Sequence, residues 1–196
     1  MVYSVKGFHT CRADGTKEEL QERVPFLSEY DDQWLGQGYY FWTDTDYWAR
    51  KWLKGEKVIS RFNIKMKRDI VLNLVDSVED QITFNKILKC FSSGTLGAAY
   101  KNKFNSEICV SQVLTWLREE CKAVAVDIFP YGAVKAKDYR REHSVPFLAD
   151  PRSREELPLV ERHQICVYDE YKEGSVVFEG FVHPPNFMDV TGGAMV

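Results

Sequence analysis

Apolar and polar residues alternate loosely from Tyr3 to Thr10, the period-two pattern of a half-buried strand, and the run ends in the turn-rich Arg12-Ala13-Asp14-Gly15. Thr16-Lys17-Glu18-Glu19 has capping-box spacing and predicts a short helix through about Val24. A polar loop, Pro25 to Gln33, leads into Trp34-Leu35-Gly36-Gln37-Gly38-Tyr39-Tyr40-Phe41-Trp42, which reads as a glycine loop running into a short strand. Trp48, Ala49, Trp52 and Leu53 then share one helical face, with Thr43 or Thr45 as the cap and Gly55 as the stop.

Val58 to Ile64 and Ile70 to Leu74 are β-rich runs around a charged turn, Lys65 to Asp69, and predict a hairpin or neighbouring strands. Val78, Ile82, Ile87, Leu88 and Phe91 mark one longer helix; Ile108, Val113, Leu114 and Leu117 mark another, with Ser92 to Asn105 as a surface loop between them. Ala123 to Phe129 is short and apolar enough for a buried strand. Tyr131 to Pro158 reads as a long basic loop carrying Lys135, Lys137, Arg140, Arg141, Arg152 and Arg154. His163 to Tyr168 and Ser175 to Val182 predict two closing strands, followed by a tail. Residues 1–183 are expected to form a single domain and 184–196 a C-terminal tail.

Composition narrows the classes. At 196 residues, one core is the default. A net charge of −3 argues against coating nucleic acid by charge alone. The five cysteines form no Cys-x-x-Cys pair, which fits reduced thiols better than a disulfide framework or a zinc knuckle, and His143 and His163 stand in no metal-ligand spacing, so no metal is expected. Without a signal-peptide pattern or a long apolar run, the expectation is a cytoplasmic protein with no membrane segment.

The chemistry concentrates in two places. Gly7-Phe8-His9-Thr10-Cys11 puts a histidine near a strand end, where it could brace a loop or face a ligand. Gly36 and Gly38 allow close backbone approach, and Tyr40 offers a stacking ring; the spacing fits neither the G-x-G-x-x-G fingerprint nor a Walker loop.

Gly7-Phe8-His9-Thr10, Leu35-Gly36-Gln37-Gly38-Tyr39-Tyr40-Phe41-Trp42 with Ala49-Arg50-Lys51-Trp52, and Arg162-His163-Gln164-Ile165-Cys166-Val167-Tyr168-Asp169 together resemble the three motifs of ADP-ribosyltransferases of the diphtheria-toxin and poly(ADP-ribose) polymerase type. The pattern also resembles bacterial toxin-like members that belong to toxin-antitoxin or phage-defence systems. The resemblance implies an α+β fold, a split sandwich of two small, mostly antiparallel sheets with surrounding helices. It implies NAD as ADP-ribose donor, a macromolecular acceptor (RNA, DNA or protein) and an antitoxin protein as partner.

By the same resemblance His9 would hydrogen-bond ribose hydroxyls, the main chain at Thr10 would hold the carboxamide, and Tyr40 would stack on nicotinamide. Gly38, Tyr39 and Ala49 would complete the dinucleotide-binding set. The usual glycine after the histidine is Thr10 here. Gln164 stands where the family's catalytic glutamate would be. Its carbonyl could accept a bond from the ribose 2′-hydroxyl, but an amide is no base. Either Gln164 orients the ribose and the acceptor supplies its own activation, or a nearby carboxylate acts, with Glu161 and Glu179 the candidates. An NAD glycohydrolase and a catalytically silent NAD-binding module are the rival readings.

Overall fold

A computed structural model describes residues 1–124, 129–138, 144–149 and 154–188. The first strand, β1 (Val2–Arg12), gives way to α1 (Lys17–Arg23), where Thr16 Oγ1 accepts from the Glu19 amide at 3.3 Å and the Glu19 carboxylate accepts from the Thr16 amide at 2.9 Å. This is the capping box read from the sequence, and it satisfies two amides that a helix start otherwise leaves unpaired. Next come β2 (Tyr39–Thr43), α2 (Tyr47–Trp52) and β3 (Lys57–Lys67). They are followed by β4 (Val71–Asn73), α3 (Val78–Ser92), α4 (Gly94–Phe104), α5 (Val110–Val124) and β5 (Ala133–Asp138). Last are the short β6 (Ser144–Pro146) and β7 (Glu156–Pro158), then β8 (Arg162–Val167) and β9 (Val176–His183).

The architecture is α+β. Seven strands form one mixed sheet in the order β4-β5-β8-β2-β1-β3-β9, parallel only between β4 and β5, and β6 pairs with β7 in a separate two-stranded sheet. The expected pair of small sheets is therefore one sheet with a narrow joint. β1 pairs with β3 along its whole length but with β2 only at Gly7–Thr43 and Phe8–Trp42, after which the two strands part. Gly7 makes that joint close: a Cβ there would lie 2.7 Å from Ile64 Cδ1 and 2.9 Å from Phe41 Cβ.

Four expectations about elements change. The runs around residues 58–64 and 70–74 are not a hairpin, because β3 lies one strand from one edge of the sheet and β4 forms the other edge, pairing with β5. Residues 92–105 are not a surface loop but mostly α4, anchored by fully buried Tyr100, whose ring centroid lies 5.9 Å from that of Phe91 and 6.0 Å from that of Trp116. The long basic segment contains β5, where Lys135 is buried, and the β6–β7 pair. Ala123 and Val124 of the expected Ala123–Phe129 strand belong to α5; residues 125–128, with Arg140, Arg141, His143 and Arg152, lie outside the described residues.

One face of the sheet packs Leu72, Val134 and Cys166 against Phe84, Phe91, Val113, Leu114 and Leu117 of the long helices. The other packs Phe41, Phe62, Ile64 and Ile165 against Leu20 and Val24. Phe187, within the expected tail, packs edge-on against Phe181 at 5.5 Å. No described helix is long and apolar enough to cross a membrane.

Candidate functional site

Where β1 and β2 part, a cleft of about 520 Å³ opens, within the roughly 300–1,000 Å³ of small-molecule sites. His9, Thr10 and Arg12 of β1 line it, with Tyr40 and Trp42 of β2 and Gln164 of β8. Phe26, Tyr30 and Trp34 from the intervening loop and Trp52 at the end of α2 close it with aromatic surface.

His9 sits at the fork and takes over the pairing that the strands abandon. Its Nδ1 lies 3.0 Å from the Tyr40 carbonyl and its Nε2 3.3 Å from the Phe26 amide. The amide can only donate, so Nε2 accepts and Nδ1 carries the proton, donating to Tyr40. Burial lowers the His9 pKa, against an upward pull from the Tyr40 carbonyl, so the ring is neutral. A ribose hydroxyl reaching Nε2 would have to take the place of the Phe26 amide.

That assignment has a stability consequence. Above an unfolded-state pKa of about 6.5 both states hold neutral His9, whereas below it the unfolded chain binds a proton the folded ring resists. Stability is therefore expected to fall as pH drops below about 6.5 towards the lowered folded pKa. Urea unfolding of wild type and His9→Gln at pH 7.5 and 5.5 checks this; an identical pH dependence in both would exclude His9 as the cause.

Tyr40 is fixed at its tip. Its hydroxyl donates to the Gly36 carbonyl at 2.7 Å and accepts from the Leu35 amide at 2.9 Å, and burial raises its pKa far above the usual range. Tyr168 and Arg118 hold the same glycine loop: the Tyr168 hydroxyl reaches the Leu35 carbonyl at 3.2 Å, and Arg118 donates to the Gln37 carbonyl at 3.1 Å while its guanidinium lies over the Tyr168 ring. Gly36 adopts a φ of +82°, open to glycine at no steric cost.

The other residues of the expected dinucleotide set do not reach the cleft. Gly38 spends both backbone groups on Ser28, at 3.0 and 3.1 Å. Tyr39 points to the opposite sheet face, as strand alternation requires, and bonds Asp169 at 2.9 Å, with its pKa pushed up to about 12 by burial and that carboxylate. Ala49 is fully buried, and its carbonyl accepts from the Thr10 hydroxyl at 2.9 Å.

Neither candidate glutamate lines the cleft. Glu161 is bound to Lys137 at 2.7 Å and to His163 at 2.9 Å, contacts that lower its pKa. His163 also meets Asp44 at 3.2 Å, on the side away from Gln164. Glu179 is on β9 and pairs with Lys6 and Arg61. Among the described residues lining the cleft, Arg12 alone carries a formal charge. No described group of three or more histidine, cysteine or acidic side chains is arranged to hold a metal ion.

Arg12, Trp34, Trp42 and Trp52 were not singled out from the sequence as cleft residues. The clustering of aromatics from Tyr30 to Trp52 was the available signal, and it could not separate cleft from core. Comparison of the chain with family models, curated proteins and solved structures finds no match.

Proposed function

We propose that the chain is an NAD-dependent mono-ADP-ribosyltransferase of the split-sandwich ADP-ribosyltransferase fold, moving ADP-ribose to a macromolecular acceptor. The observation that supports this reading is convergence: His9, Thr10, Tyr40 and Gln164, from three strands far apart in sequence, line one cleft at the fork of the sheet. In the reaction the bond between nicotinamide and ribose C1′ breaks with its electron pair going to the departing ring, and an acceptor nucleophile bonds to C1′. Tyr40 would stack on the leaving ring, and the Trp-rich walls would exclude water. No carboxylate is among the described lining residues, so the acceptor supplies its own activation and its proton goes to solvent. The toxin-like resemblance extends the proposal to a cytoplasmic toxin of a toxin-antitoxin or phage-defence system, neutralised by an antitoxin.

A second reading, a catalytically silent NAD-binding module, is favoured by the occupation of both His9 nitrogens and of the Gln164 oxygen by protein groups. Incubation with NAD labelled in its adenosine half, in the presence of cell lysate, separates the possibilities. Nicotinamide release with label on RNA, DNA or protein supports the transferase; release with only free ADP-ribose means a glycohydrolase; no release means the silent module.

As the charged residue at the cleft, Arg12 is expected to meet the dinucleotide's diphosphate. Arg12→Ala should raise the NAD dissociation constant about tenfold, as loss of one charge-assisted hydrogen bond does, and flatten its salt dependence. Calorimetry at low and high salt checks this, and unchanged affinity and salt dependence would remove Arg12 from the site.

A further inference from the structure

Trp34 stands between two cavities. Its indole forms a wall of the cleft and also of a separate pocket of about 340 Å³, closed elsewhere by Leu74, Phe84, Leu88 and Val110. Its Nε1–H donates to Gln164 Oε1 at 3.0 Å. An indole nitrogen can donate but not accept, so the amide atom facing it is the oxygen, and the orientation of the Gln164 side chain follows from chemistry.

Gln164 is only 8% exposed and is flanked in the sheet by Trp42 and Ala136. With its oxygen turned to Trp34, the NH₂ group turns the other way, and among the described residues it has no hydrogen-bond partner although the side chain lines the cleft. The NH₂ group is not among the fully buried polar atoms that lack a partner, so it opens to the cleft and is available to a ligand atom that accepts from it.

We propose that Trp34 is a positioning residue, fixing Gln164 as a hydrogen-bond donor toward the cleft, so that this position selects a ligand oxygen that accepts, such as a ribose hydroxyl or a carboxamide carbonyl. The polarity is opposite to that of a glutamate at the same place, which would accept from a hydroxyl. The identity of the ligand as NAD rests on the function proposed above; the orientation of the amide does not.

The test uses Trp34→Phe, which keeps an aromatic ring at the boundary of both cavities and removes the N–H donor, together with Gln164→Leu and the double variant. Side-chain amide and indole N–H signals are followed by ¹H–¹⁵N spectroscopy, alone and with NAD added, and nicotinamide release is measured in parallel. Trp34→Phe should shift the Gln164 NH₂ pair, Gln164→Leu should shift the Trp34 indole signal, and NAD should move the Gln164 NH₂ pair in the wild type. Trp34→Phe should slow release about tenfold, the effect of one misdirected hydrogen bond, and should have no further effect in the Gln164→Leu background. An unmoved indole signal in Gln164→Leu, or fully additive rate losses, overturns the proposal. If the wild type releases no nicotinamide, the transferase reading fails on its own, and the two side-chain signals still decide whether Trp34 orients Gln164.

Discussion

Replacing Tyr40 by alanine is expected to cut nicotinamide release by about 100-fold or more, the scale of effect that follows when a reacting group loses its positioning. The loss has two origins. The ring is a wall of the cleft, and the hydroxyl binds the Leu35 amide and the Gly36 carbonyl, so alanine removes both the wall proposed to stack on nicotinamide and the tie that shapes the glycine loop beside it. Tyr40→Phe separates the two contributions. It keeps the ring but takes the acceptor from the Leu35 amide and leaves the Gly36 carbonyl to the Cys166 thiol at 3.7 Å, at about 1 kcal/mol for each lost bond, so the melting temperature should fall while most of the turnover remains. Full turnover in a folded Tyr40→Ala variant would remove Tyr40 from the site, and equal losses in both variants would make loop geometry the whole of its role.

Gly38→Ala is expected to destabilise the protein by about 3 kcal/mol, at the upper end of ordinary overpacking costs. A Cβ at this position would lie 2.6 Å from Cys166 Sγ and 2.8 Å from the Val167 carbonyl. Cys166 is fully buried, its thiol pKa raised to about 12 chiefly by that burial, and the Val167 carbonyl belongs to β8, so neither neighbour can yield without moving the strand that carries Gln164. Urea unfolding gives the loss directly. A change under about 1 kcal/mol, the range of tolerated swaps, would mean that β2 and β8 can separate more easily than their packing implies. The resemblance makes Gly38 part of the dinucleotide site; its backbone and its contacts make it a packing glycine that sets the distance between two strands of the site.

The local elements were legible from residues close together in the chain, because the bonds that make them are local. The capping box at Thr16 and Glu19 spans three residues, and the alternation along β8 already places Gln164 and His163 on opposite faces. The sequence also picked out four of the residues that meet in the cleft, His9, Thr10, Tyr40 and Gln164, through motifs each contained in a short segment. Tertiary structure decided what depends on distant partners. It moved β4 away from β3 to pair with β5, since a buried three-residue strand is placed by whichever neighbour and helix bury it. It made a helix of residues 94–104 by burying Tyr100 against Phe91 and Trp116, overriding two glycines that read as a loop. And it gave the Gln164 oxygen a donor within the protein, because Trp34, which claims it, lies 130 positions away in sequence and no spacing rule connects them. Period and capping fix which way a side chain points from its own backbone; which atoms it then meets is set by the strands and loops that folding brings alongside.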